Sequence, residues 1–146
     1  SKGIWTIGYG HKILSEEKFT EITPQQAKDL FYTDVKSKED YVRKDLGEEL
    51  WGELPNKAKE NIIGFDYWGY YRLSPKAVGH LKNRKYYAFA DEIINNKDYK
   101  ESQKTGSGIA PRFDNYIQPF VDLGNAKFLD MSFKEVVDER TRLLGL

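Results

Sequence analysis

The run Thr6-Ile7-Gly8-Tyr9-Gly10-His11 lies within the opening stretch SKGIWTIGYGHKI, residues 1–13, and its reading decides the fold. The β-branched and aromatic residues Ile4, Trp5, Thr6, Ile7 and Tyr9 favour extended backbone. Gly8 and Gly10 permit a tight turn. Strand, turn, strand is therefore expected, and on the residues alone a plain β-hairpin satisfies it. Two nucleotide-binding patterns fail on the same run. Gly8 and Gly10 begin a GxGxxG, but Ile13 stands where the third glycine belongs and no helix is expected directly after it. Gly3 and Gly8 have P-loop spacing, but Tyr9 occupies the lysine position.

Outward from the hairpin the chain reads as helices. Thr23 is placed as an N-cap, Pro24 sits at N1, and Gln26 at N3 completes a capping box. Ala27, Leu30, Phe31 and Val35 fall on one face, which predicts a helix to about Lys44. Leu54-Pro55-Asn56 opens a second helix with Ala58, Ile62 and Phe65 on one face, ending near Trp68-Gly69. Ser74-Pro75 repeats the cap-then-proline start before Ala77, Val78 and Leu81. KYYAFADEIIN, residues 85–95, reads as a buried helix, and KTGSG, residues 104–108, as a loop. APRFDNYIQPF, residues 110–120, reads as helix until Pro119. Ser132 and Glu135 form a second capping box before Phe133, Val136, Val137 and Leu144. Residues 124–131 are the weakest candidate boundary. A single domain over 1–146 is expected.

Composition narrows the function classes. At 146 residues, with 39% apolar and 14% aromatic side chains, one domain with a sizeable core is the default. Lys and Arg number 23, as do Asp and Glu, so a general nucleic-acid binder is not expected. The absence of cysteine excludes disulfides, thiolate zinc sites and cysteine nucleophiles. His11 and His80 stand far apart with no HExxH context, and there is no GxSxG elbow. No metal or cofactor is expected. No run approaches a membrane span. The start lacks a charged region followed by an apolar one, so we expect either a cytosolic domain or a chain whose preceding segment is not included.

Taken as a unit, TIGYGH resembles the signature of the phage-type lysozymes, the endolysin muramidases of glycoside hydrolase family 24. In them T-I-G-x-G-H forms the floor and lip of the cleft. ITPQQAKDLFYTDV, residues 22–35, is similar to the helix that follows in that family. NIIGFDYWG, residues 61–69, is similar to the central helix and its exit. SPKAVGHLKNRKYYAFADEI, residues 74–93, is similar to the helical pair after it. GSGIAPRFDNYIQPF, residues 106–120, is similar to a glycine-rich loop leading into an arginine-bearing helix. The resemblance covers about residues 1–125 and leaves 126–146 as an extra C-terminal helix. TIGYGH is its specific part; the rest supports it by order and spacing.

The resemblance implies an α+β, mainly α, lysozyme-like fold, with a small N-terminal β-sheet lobe, a helical lobe and a cleft between them. It implies a bacteriolytic hydrolase that cleaves the β-1,4 bond after N-acetylmuramic acid in peptidoglycan glycan strands. Such an enzyme acts from the host cytoplasm or at the cell wall and periplasm. A glutamic acid protonates the leaving oxygen, while an aspartate and a threonine position water or stabilise charge. This is the two-carboxylate logic of glycoside hydrolysis.

The family spacing E-x8-D-x5-T puts the threonine at Thr6, the aspartate immediately before Ser1, and the glutamate nine residues further upstream. Neither carboxylate is in the chain. Three arrangements would account for this. The chain is a fragment whose first helix belongs to a preceding segment or larger phage protein; this arrangement is preferred. It is a degenerate relative that binds glycan or a protein partner without cleaving. Or an acid comes from elsewhere in the chain: FKEVVDERTRLLGL, residues 133–146, vaguely resembles the family's first helix, with Glu139 as the acid in a permuted order. An ordinary amphipathic terminal helix explains that stretch equally. The isolated chain is expected to be inactive or impaired. The alternative function is a noncatalytic glycan-binding or protein-interaction module.

The resemblance assigns further positions. Tyr9 and Gly10 line the cleft beside Thr6. His11 makes a structural carboxylate contact. Phe65 and Asp66 fall where the central helix faces substrate, Asp66 standing where an amide is common; Phe65 equally suits the core. Arg112 matches an arginine on the far lip, with solvated surface as the plain alternative. The block FDYWGYY, residues 65–71, is either a packed corner or a sugar-stacking surface.

Overall fold

The computed structural model describes residues 6–7, 11–13, 21–129 and 133–145. Its architecture is mainly helical. Strands β1 (Thr6–Ile7) and β2 (His11–Lys12) pair antiparallel, with Thr6 opposite Lys12 and Ile7 opposite His11. The two strands are those expected; the turn predicted between them, residues 8–10, lies outside the described residues. A sheet lobe is not seen among the described residues. Two residues per strand cannot enclose a core of their own.

Helix α1 (Pro24–Leu46) begins with the capping box: Thr23 Oγ1 accepts from the Gln26 N–H at 3.1 Å, and Gln26 Oε1 accepts from the Thr23 N–H at 2.9 Å. It ends at Gly47, whose φ of 89° suits glycine alone. Helix α2 (Glu48–Glu53) follows at once and buries Leu50 and Trp51. Next come α3 (Asn56–Tyr67), α4 (Pro75–Lys82) and α5 (Tyr86–Ile94). Pro75 opens α4 as expected, but the Ser74 side chain makes no capping bond. The second predicted capping box rests on Ser132, which lies outside the described residues.

Two short helices were not expected from the sequence, α2 and α6 (Lys97–Thr105). Helix α6 is polar on most of its surface and buries only Tyr99 and Ser102, so it lacks an apolar stripe to read. Its local signals are its caps. Asn96 Oδ1 accepts from the N–H groups of Asp98 and Tyr99, and Gly106 closes the helix in the left-handed conformation.

Helix α7 (Ile109–Leu129) corrects two expectations. It does not stop at Pro119, and residues 124–129 are helix rather than a boundary. Proline removes the N–H that would bond the Asn115 carbonyl. Asn61 on α3 supplies the substitute: its Nδ2 donates to the Asn115 carbonyl at 3.0 Å and to that of Tyr116 at 3.3 Å. The break is thereby satisfied from a neighbouring helix and α7 continues. Helix α8 (Phe133–Leu143) follows.

The core gathers between α3, α5 and α7, with α1 and α4 packed around them. Phe113 and Phe120 on α7 and Ile62 on α3 are among its most enclosed side chains. Burying each is worth about 1.5–3 kcal/mol. Helices α3 and α7 approach closely where Gly64 faces Tyr116, and α5 and α7 where Gly124 faces Tyr87. No described helix is long and apolar enough to cross a membrane.

Candidate functional site

The surface feature that gathers most chemistry is at the exit of α3. Trp68, immediately after the helix, is 54% exposed, unusual for a tryptophan. The Arg112 guanidinium, on α7, lies over the indole with its Cζ 4.3 Å from the ring centroid. This is a cation–π contact that fixes two large side chains from different helices against each other. Unlike Arg43, Arg72, Arg84 and Arg142, Arg112 has no carboxylate within ion-pair distance among the described residues. The residue is exposed, and its planar guanidinium carries several N–H donors.

Each member of the stacked pair borders a groove. Trp68 borders one of about 460 Å³ between α1 and α3, lined also by Phe31, Val35, Ile63 and Tyr67. Arg112 borders another of about 740 Å³ between α3 and α7, lined also by Asn61, Tyr116, Pro119 and Leu123. The first is walled almost wholly by apolar and aromatic side chains, with Glu60 at its edge. The second also carries Lys57, Asn115, Gln118 and Asp122, so it offers hydrogen-bonding groups beside its apolar surface. Burial pushes the Tyr116 phenol above its ordinary pKa, while Arg112 and the Trp68 indole pull it back only in part. Tyr116 therefore stays protonated and remains a hydrogen-bond donor.

The positions expected to face substrate divide into three groups. Arg112 is on the surface, at the groove just described. Phe65 and Asp66 point inward. Phe65 is 4% exposed and packs among Tyr70, Phe113 and Tyr116, with ring centroids 5.3–5.7 Å away. It shares its helical face with Ala58 and Ile62, which is why it joins the core. The Asp66 side chain is fully enclosed, and both of its oxygens are occupied by Arg72 at 3.0 and 3.1 Å. Arg72 was not singled out from the sequence, because it lies six positions on, across a turn, at no helical spacing. Trp68 was visible within FDYWGYY but not distinguished from its neighbours.

The third group is near the N-terminus. Thr6 lies on β1 opposite Lys12. Tyr9 and Gly10 lie outside the described residues. The neighbouring His11 makes the carboxylate contact expected of it: its Nδ1 is 2.8 Å from Asp34 Oδ2 and 3.0 Å from Oδ1, both side chains largely buried. Since His11 is on β2 and Asp34 on α1, this contact fastens the strand pair that carries Thr6 to the helical body.

Glu139 on α8 is engaged by Arg142 one helical turn on, with Nε to Oε2 at 2.9 Å. Both of its oxygens accept from that guanidinium, an arrangement that does not present a proton to a leaving oxygen. Among the described residues, no three His, Asp or Glu side chains cluster as metal ligands.

A family model described as phage lysozyme matches residues 1–95 of the chain. Neither a curated protein nor a solved structure matches it. The matched span runs from the TIGYGH segment through α5 and includes Trp68 and Arg72.

Proposed function

Because this chain belongs to the phage lysozyme family, we propose that it forms the glycan-holding body of a peptidoglycan hydrolase that cleaves the β-1,4 bond after N-acetylmuramic acid. The Trp68–Arg112 stack carries this reading. A half-exposed indole braced from one side offers a flat apolar face to a sugar ring, and the guanidinium offers donors to hydroxyl and carbonyl oxygens. Thr6, Tyr9 and Gly10, the positions that match the family's cleft motif, are the further glycan contacts of this reading; Tyr9 and Gly10 lie outside the described residues. Phe65 and Asp66 serve the same site from behind, as the packed base from which Trp68 projects.

The reaction needs a carboxylic acid to protonate the leaving oxygen and a second carboxylate about the attacking water. At the family spacing from Thr6, these 146 residues supply neither. We infer that the 146-residue polypeptide by itself binds glycan without efficient cleavage. The engagement of Glu139 by Arg142 supports this over a permuted acid.

The test is cosedimentation with purified peptidoglycan, with release of reducing ends measured on the same samples. Cosedimentation without release is expected. Rapid release by the isolated chain would overturn the reading of binding without cleavage, and Glu139→Gln would then identify or dismiss that acid. Failure to sediment with peptidoglycan would overturn the glycan reading.

A further inference from the structure

We propose that Arg72 is a positioning residue for the Trp68–Arg112 platform: clamped between Asp66 and Tyr41, it holds the turn that presents the indole. The inference rests on the glycan reading of that platform and specifies what makes it rigid.

Trp68 sits in the stretch 66–72, which the Asp66–Arg72 pair closes on itself. Arg72 Nε donates to Asp66 Oδ1 at 3.0 Å and Nη2 to Oδ2 at 3.1 Å, a two-pronged geometry that fixes the angle between the helix end and the turn. Main-chain bonds reinforce the closure, with the Gly69 N–H donating to the Asp66 carbonyl at 2.9 Å and the Tyr70 N–H to that of Phe65 at 3.0 Å. The outer face of the same guanidinium lies on the Tyr41 ring of α1, with Cζ 3.5 Å from its centroid. Tyr41 in turn meets Tyr71 edge-on at 6.2 Å, and the Tyr71 hydroxyl donates to Asp45 on α1 at 2.6 Å. The loop that displays Trp68 is thus fastened to α1 through two consecutive residues, Tyr71 and Arg72.

The backbone that carries Trp68 lies past the end of α3, although Arg112 and the edge-on Tyr67 ring hold the indole from the side. Its remaining freedom would have to be surrendered when a sugar stacks on it, and a fixed backbone removes that loss beforehand. Arginine is required in this role. Lysine would neutralise Asp66, but it can neither grip both carboxylate oxygens in one plane nor lie flat on Tyr41.

The test is a double-mutant cycle on the full 146-residue chain, with cosedimentation on purified peptidoglycan as the readout. Thermal unfolding of each variant verifies folding. Arg72→Lys is expected to weaken binding about three- to tenfold, and to have no further effect once Trp68→Ala is present, which a merely structural role would not produce. Tyr41→Leu, at a partly exposed position on α1, keeps the Asp66 pair and should show a smaller loss with the same dependence on Trp68. Undiminished binding by Arg72→Lys, or an equal loss with and without Trp68, would overturn the proposal while leaving the platform intact. Full binding by Trp68→Ala alone would overturn the platform itself, and this inference with it.

Discussion

Asn61 Nδ2 donates to the main-chain carbonyl of Asn115 at 3.0 Å, and that carbonyl is the one Pro119 deprives of its helical N–H. One buried amide on α3 thereby lets α7 pass through a proline. Asn61→Ala takes the donor from that part-buried carbonyl and should destabilise the fold by about 1 kcal/mol. In a Pro119→Ala background the helix supplies its own N–H, so the same substitution should be markedly less harmful. Urea unfolding of the four proteins measures this. Equal losses in both backgrounds would show that Asn61 matters for some other reason.

His11 and Asp34 give a second testable tie. Asp34→Ala removes the contact that fastens β2 to α1 and should lower stability by about 1–3 kcal/mol. Its clearest sign is local. Amide exchange should accelerate in the strand pair that carries Thr6 and stay slow in α3, α5 and α7. Uniform acceleration would contradict a local tie.

What the sequence revealed and what it hid follow one physical division. The start of α1 was legible because Thr23, Pro24 and Gln26 interact within one helical turn. The course of α7 was not, because Pro119 is rescued by a side chain 58 positions earlier, and no local pattern records that. Local spacing likewise does not reveal that the Asp66 carboxylate is enclosed, because its partner Arg72 lies across a turn. The Thr6 segment identified the family through short-range spacing. The aromatic block FDYWGYY did not separate Trp68, which is exposed, from Phe65 and Tyr71, which are buried, because that separation arises where α3 ends and its periodicity stops.

Two helical glycines should respond oppositely to alanine. A Cβ on Gly124 would come within 2.8 Å of the Tyr87 ring, so either that ring or the α5–α7 packing would have to shift. Such overpacking costs about 1–3 kcal/mol, more than the helix-propensity gain of about 1 kcal/mol. Gly124→Ala should therefore destabilise. Gly79 in α4 has nothing within 4 Å of its Cβ position, so Gly79→Ala should stabilise by about 0.5–1 kcal/mol. Thermal midpoints moving in the same direction would refute the close-approach argument.

Arg112→Lys tests the exposed cation. It preserves charge but loses the planar stack on Trp68 and the forked donors. Peptidoglycan affinity should fall several-fold, roughly the 0.5–2 kcal/mol of a cation–π contact. Unfolding should scarcely change, because Arg112 is exposed and carries no buried partner. An unaltered affinity would mean that only the charge counts.

Asp45 and Tyr71 predict how the fold responds to pH. Burial pushes the Asp45 carboxyl upward, but hydrogen bonds from Tyr71 and Lys82 and the Lys82 charge outweigh this and hold it below the ordinary value. Its contribution is therefore complete above the unfolded carboxyl value of about 4 and is lost as pH falls through the lower folded value. Tyr71 is shifted the other way, since burial foremost and then the bond to Asp45 hold its phenol protonated. Its contribution is complete below the unfolded phenol value of about 10 and is lost as pH rises beyond it. Several other tyrosines are raised too, so the alkaline loss is shared. Tyr71→Phe should accordingly flatten both limbs of the stability–pH curve, and Asp45→Asn should flatten the acid limb. Denaturant midpoints from about pH 2 to pH 11 measure the slopes. If Tyr71→Phe lowers stability by the same amount at every pH, its hydroxyl contributes only a neutral hydrogen bond and the coupling to Asp45 is refuted.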